Sequence, residues 1–158
     1  MRHAVTTLLM RAVRALAGLY WWVVQPVAIS VKVWVERDGH LLLVRHTYGP
    51  EPERWHLPGG HVKRRESTIE AAIREVWEEC GVRIRPTGLI GVYYAAREYK
   101  HDHLFLFRAV AVAQEPAWRN PEVAQAAFFP LDALPPLSGG TARRVPDAAR
   151  SEVVFGPW

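Results

Sequence analysis

The sequence predicts a single α/β domain, on three observations. Residues 29–36 alternate apolar and polar side chains with the period of a strand, residues 67–80 carry an apolar stripe at helical spacing, and two β-rich runs follow at 89–97 and 104–112. With 158 residues, 49% of them hydrophobic and 23% charged, the chain has room for one proper core and the composition of a soluble globular protein. A net charge of +4 favours anionic partners, whether phosphates, nucleic acid or an anionic membrane surface, and does not choose among them. The only cysteine, Cys80, falls inside the helix, so no intramolecular disulfide is expected, the residue reads as a small packed side chain, and the expected setting is cytoplasmic.

Residues 1–25 read as an amphipathic helix that ends before Pro26. His3, Thr7, Arg11, Arg14, Gly18 and Gln25 trace a polar stripe opposite Val5, Leu8, Leu9, Ala12, Leu16, Leu19 and Val23. A membrane span needs about 20 consecutive apolar residues, and the run at 15–24 is half as long, so no transmembrane span is expected. Two arginines interrupt the apolar stretch, which does not fit a secretory signal. The expected role is packing on the chain's own domain or on a homodimer partner. The alternative is peripheral contact with a membrane surface, and Tyr20, Trp21 and Trp22 suit either.

In the strand at 29–36, Ile29, Val31, Val33 and Val35 form one strongly apolar face. Asp38-Gly39 is a tight-turn signal and residues 41–44 follow as a more buried strand, so the two read as a hairpin. A loop at 47–54, broken by Gly49-Pro50 and Pro52, leads through Trp55-His56-Leu57 into Pro58-Gly59-Gly60. Adjacent glycines let a backbone turn sharply and approach a ligand closely.

The helix is expected to start at Ser67 or Thr68, capped by that hydroxyl with Glu70, and to stop at Gly81. Ile69, Ala72, Ile73, Val76 and Cys80 form the expected docking stripe. Glu75, Glu78 and Glu79 stand at i, i+3 and i+4, which places three carboxylates on one face. Such a cluster is costly without a cation, and an all-oxygen donor set suits Mg²⁺ or Mn²⁺, whereas zinc would prefer His or Cys. Arg74 and Glu66 have the spacing for a bidentate pair that ties the preceding loop to the helix.

Residues 60–82, GHVKRRESTIEAAIREVWEECGV, resemble the Nudix box at every defined position: Gly60, Glu66, the run Arg74-Glu75-Val76-Trp77-Glu78-Glu79 and Gly81-Val82. The wider resemblance covers about residues 29–134. It implies an α/β/α sandwich with a mixed β-sheet, in which the box forms a loop-helix-loop catalytic platform. It also implies a pyrophosphohydrolase that cleaves a nucleoside diphosphate linked to another group. Carried over by the resemblance, Glu75, Glu78, Glu79 and the Gly59 carbonyl are the metal ligands and Arg74 with Glu66 the orienting pair. One departure is Arg65, where many members have glycine. With Lys63 and Arg64 it makes a basic triplet suited to phosphate oxygens. Arg54, Lys63, Arg64 and Arg97 are the candidate substrate-binding cations.

Beyond the box, residues 98–103 are expected to join a second hairpin, with His101 and His103 serving turn chemistry rather than a metal pair. A loop at 114–121, a strand at 127–129 and a helical turn at 131–134 follow. Glu122 stands where Nudix enzymes often take a catalytic base, with Glu115 less well placed. Residues 138–158 read as a short helix and a tail, giving a division into an N-terminal helix (1–25), a Nudix domain (26–137) and this C-terminal segment. No Walker-type phosphate loop is present. Two alternatives remain beside the hydrolase. One is a Nudix-fold module that senses a nucleotide without cleaving it. The other is RNA 5′-end processing, hinted at by Tyr93, Tyr94, Arg97, Tyr99 and Lys100 as a stacking platform. In this fold the leaving group and base are read by loops outside the box, so the box names a reaction class and leaves the nucleotide derivative open.

Overall fold

The computed structural model describes residues 27–47, 51–97, 100–113 and 121–158, and the backbone alone at 96, 97, 100 and 113. The helix expected over 1–25, Glu115 and Tyr99 lie outside the described residues, as do the side chains of Arg97 and Lys100. The described strands are β1 (Val27–Arg37), β2 (His40–His46), β3 (Arg83–Arg97), β4 (Lys100–Ala113), β5 (Val123–Pro130) and β6 (Val154–Pro157). Helix α1 (Thr68–Cys80) follows β2, and α2 (Gly139–Ala148) lies between β5 and β6. The strands form one mixed sheet in the order β5-β2-β1-β4-β3-β6, with β1 parallel to β4 and β3 parallel to β6.

Alternation along β1 builds two cores. Val31, Val33 and Val35 face α1, together with Leu42, Val44, Phe107 and Ala109, while Trp34 joins Leu41, Leu43, Tyr93, Leu104, Leu106 and Ala148 on the α2 face. The β1–β2 hairpin closes through Asp38 and Gly39, both at positive φ (49° and 73°), which matches the right-handed twist of the flanking strands. The two strands pair directly at Glu36 with Leu41 and Arg37 with His40. Beyond that point the segment around the glycines is wedged between them. Val31 N–H donates to the Gly60 carbonyl (2.8 Å), Val33 N–H to that of Pro58 (2.9 Å) and Val62 N–H to that of Ile29 (2.9 Å). On the β2 side, Val44 and His56 exchange backbone bonds of 2.9 and 2.8 Å. The loop thus takes the place of a strand and gains a strand's rigidity.

Helix α1 begins at Ser67, whose hydroxyl accepts from Glu70 N–H while the Glu70 carboxylate returns to Ser67 N–H, and it ends at Gly81 in the left-handed region (φ 66°). Its docked face differs from the expected stripe. Ala71, Ala72, Val76, Glu79 and Cys80 are buried, whereas Ile69 and Ile73 are 50% and 40% exposed. Two adjacent alanines let the helix lie close to the valines of β1, and that rotation carries Glu79 inward.

Three further expectations are corrected. Strand β3 ends at Arg97 as expected but starts at Arg83, and β4 starts at Lys100, so only residues 98–99 separate them and His101 and His103 are strand residues. The cross-strand hydrogen bonds and the aromatic contact with Tyr94 outweigh the polar composition that suggested a turn. Residues 131–134 make a turn and no helix. The C-terminal tail is a strand, β6, which pairs with residues 91–94 and brings Trp158 against Tyr93. Among the described residues no helix is long and apolar enough to cross a membrane.

Candidate active site

The wedged loop and α1 meet at Gly59. Its φ is +139°, and a Cβ there would stand 2.2 Å from the Val31 carbonyl oxygen. At Gly60 a Cβ would stand 2.7 Å from the Glu75 carboxylate. Gly59, against backbone, therefore excludes a side chain, whereas one at Gly60 would displace the Glu75 carboxylate. The Gly59 peptide is held at both ends. Its N–H donates to Glu79 Oε2 (2.8 Å), and its carbonyl accepts from Lys32 Nζ (3.0 Å), which also donates to the Leu57 carbonyl (2.9 Å). Glu79 is only 7% exposed, and burial pushes its carboxyl up to about 7, with the nearby charges of Glu75 and Glu122 adding and Lys32 and the Gly59 N–H opposing. Burial likewise pulls the Lys32 ammonium below its ordinary range, opposed first by Glu79 and then by Glu75.

Arg74 organises the more open rim. Its Nε and Nη2 grip the two Glu66 oxygens (2.6 and 2.9 Å), Nη1 reaches Glu75 (2.7 Å) and Glu78 (3.0 Å), and Nη2 also donates to the His61 carbonyl (3.1 Å). The Arg74 hydrogen bonds, helped by the Lys63 backbone N–H, hold the Glu66 carboxyl down at about 2. Lys63 Nζ lies 3.5 Å from Glu78. The repulsion expected among three helical carboxylates is thus met by two groups: Arg74 takes Glu75 and Glu78, and the Gly59 N–H takes Glu79.

Glu122 is stapled to the end of β2. Thr47 N–H donates to its carbonyl (3.0 Å) and Thr47 Oγ1 donates to the Pro121 carbonyl (3.1 Å). The His46 ring makes a further hydrogen bond to the Glu122 backbone, and burial, with Lys32 and His56 nearby, drives the His46 imidazole down to about 4. The His46 and His56 rings lie 5.2 Å apart. The Glu122 charge reaches both Glu79 and His46, which places this residue at the site's border.

Lys32, His46 and His56 were not among the residues singled out from the sequence. The one signal was Lys32 itself, a cation flanked by Val31 and Val33 in the middle of β1. Arg54 is exposed and pairs loosely with Glu53 (3.9 Å), and Arg64 is exposed, so neither is drawn into the cluster. Arg65 has φ 64°, a left-handed backbone that accounts for the glycine usual at this place. Tyr93 is buried on the α2 face while Tyr94 is 40% exposed on the other, so the two do not form one stacking platform.

Glu75, Glu78, Glu79 and the Gly59 carbonyl supply an all-oxygen donor set near the start of the box, and the Gly59 carbonyl accepts from Lys32 Nζ (3.0 Å). By donor chemistry the residues fit a hard divalent ion. Among the described residues no three carboxylate, His or Cys side chains are close enough together to ligate an ion as they stand, because Arg74 holds two of the carboxylates.

A family model described as the NUDIX domain matches residues 25–148. The protein YjhB of Bacillus subtilis (strain 168) is 34% identical over 116 residues, covering 69% of this chain and 53% of its own length, so the chain spans about half of that relative. An ADP-ribose pyrophosphatase of Methanocaldococcus jannaschii is 29% identical over 125 residues, 78% of this chain and 73% of its own. Among solved structures, a MutT NUDIX hydrolase from Burkholderia pseudomallei superposes with a TM-score of 0.70 at 27% identity, over 78% of this chain and 99% of the other.

Proposed function

Because this chain belongs to the NUDIX family, we propose that it hydrolyses a phosphoanhydride bond in a nucleoside diphosphate linked to another group, with ADP-ribose-like compounds the first to test. The observation that carries this reading is the Gly59 peptide clamped between Glu79 and Lys32 beside the Arg74 brace. It presents oxygen donors at one rigid place on an open rim. The M. jannaschii relative supports the substrate class.

In this reading Glu75, Glu78, Glu79 and the Gly59 carbonyl hold a divalent ion of the magnesium or manganese type. When bound, that ion supplies Lewis acidity toward a phosphoryl oxygen and makes water a stronger nucleophile. Arg74 orients Glu75 and Glu78 and keeps them from repelling one another. Glu66 fixes the Arg74 plane. Lys63, at the mouth of the same cluster, attracts the diphosphate. Glu122, held by Thr47 and His46, accepts the proton from the attacking water.

The test is a panel of ADP-ribose, nucleotide sugars, dinucleotides, nucleoside triphosphates and capped RNA, assayed with Mg²⁺ in ¹⁸O water. The expected outcome is a nucleoside monophosphate and a phosphorylated second product, abolished by chelation. No product from any member of the panel would overturn the proposal.

A further inference from the structure

Besides the Glu36–Arg108 ion pair (3.2 Å), the α2 face of the sheet carries one further polar row. Ser30 and Lys32 have the same parity as Trp34 in β1, and Asp102 has the same parity as Leu104 and Leu106 in β4, so all three lie on that face. Ser30 is buried and donates from its hydroxyl to Asp102 Oδ2 (2.8 Å). Asp102 pairs across the sheet with Ala28 on one side and Ala95 on the other, both small residues. The row ends inward at Lys32, whose ammonium rests on the Gly59 carbonyl and senses the charges of Glu79, Glu75 and Asp102.

Asp102 Oδ1 is buried and has no hydrogen-bond partner among the described residues. The other buried side-chain atom in that position is Arg144 Nε, whose guanidinium lies over the Tyr93 ring at 4.3 Å and bonds Asp147 at 3.0 Å, so its surroundings account for it. Nothing comparable serves Asp102. A buried carboxylate oxygen without a donor is costly and calls for a partner. Asp102 as a whole is half-buried while Oδ1 itself is covered, so a donor reaches it only when its cover shifts. Lys32 stands four residues along β1 from the partner of Asp102, roughly 13 Å at strand rise. On the same face the Trp158 backbone N–H donates to the Tyr94 carbonyl (2.9 Å) and its ring packs edge-on against Tyr93.

We propose that Asp102, oriented by Ser30, accepts a hydrogen bond from a neutral donor on the nucleoside part of the substrate, and so decides which nucleoside diphosphate derivatives are taken. The assignment rests on the hydrolase reading. The donor is an N–H of the base or an O–H of the ribose, two sources that one experiment separates.

The experiment compares wild type, Asp102→Asn and Ser30→Ala on ADP-ribose, on its inosine analogue, which lacks the base amine, and on its 2′-deoxyadenosine analogue. For Asp102→Asn, kcat/KM on ADP-ribose should fall by roughly tenfold to a hundredfold, mainly through KM. The analogue lacking the relevant donor should already be poor with wild type and should change little further. Ser30→Ala should show the same pattern at smaller size. An equal fall on all three compounds would overturn the proposal, and so would no fall. If Asp102→Asn does not fold, the pattern in Ser30→Ala decides alone. If wild type hydrolyses none of these three compounds, ADP-ribose is not the substrate, and the wider panel decides the hydrolase reading separately. Calorimetry of AMP, IMP and 2′-deoxy-AMP binding to wild type and Ser30→Ala then tests the same discrimination, and equal affinities would refute it.

Discussion

Glu66 and Glu79 belong to the same motif and share one arginine-glycine scaffold, yet their carboxyls sit at opposite ends of the range, about 2 for Glu66 and about 7 for Glu79. The difference is environmental. Glu66 lies on the open rim, where two Arg74 nitrogens stabilise its charge, while Glu79 is turned under the helix with one backbone N–H as its direct partner. Helical spacing decides which carboxylates share a face. The docking angle of the helix decides which of them is desolvated.

This contrast between a clamp held by one backbone N–H and a half-buried, ion-paired brace is open to test, most severely at Glu79. Glu79→Gln keeps an oxygen for the Gly59 N–H and should fold normally, while turnover drops on the order of a thousandfold, about 4 kcal/mol of transition-state stabilisation. Steady-state kinetics beside a thermal melt would show it, and near-normal turnover would remove Glu79 from the chemistry. Gly59→Ala strikes the clamp's geometry. A methyl placed 2.2 Å from the Val31 carbonyl should cost about 3 kcal/mol in chemical denaturation. An unchanged midpoint would mean that the loop is far softer than its backbone bonds imply.

The brace should respond less. Arg74→Lys keeps the charge and loses the fork that grips Glu66, so turnover should fall by about tenfold to a hundredfold with only a small loss of stability. Smaller again is the pH effect at His46. The unfolded chain takes up a proton near the ordinary value of 6.5 and the folded protein resists until about 4, so stability should decline as pH falls through that window. Denaturation midpoints at pH 7, 5.5 and 4.5 should show the decline, and His46→Gln should flatten that part of the curve. Least sensitive is the outer face of α1, where Ile73→Ala should stay within about 1 kcal/mol while Val76→Ala costs about 2 kcal/mol.

Much of this was legible in the chain. The capped helix from Ser67 to Gly81 and the Asp38-Gly39 hairpin follow from local rules, since a hydroxyl cap, a left-handed stop and a two-residue turn need only neighbouring residues. The Ile69 and Ile73 stripe misled because both isoleucines fit a helical period, and only the sheet beneath could select the Ala71–Ala72 side instead. His101 and His103 looked like turn residues because their partner Tyr94 lies on another strand. Lys32, His46 and His56 carried little signal, since each is separated in sequence from the glycine loop or from the carboxylates it approaches.

What the sequence determined by itself is the family, the α/β class and the set of carboxylates on one helix, because spacing along a single regular element is a local property. Tertiary structure alone decided which carboxylate is buried, that the Gly59 peptide is clamped from β1 by Lys32, and that Ser30 and Asp102 meet on the far face. Each of these depends on how separate elements are placed, through sheet register, the wedge between β1 and β2, and the rotation of α1 on its valine floor.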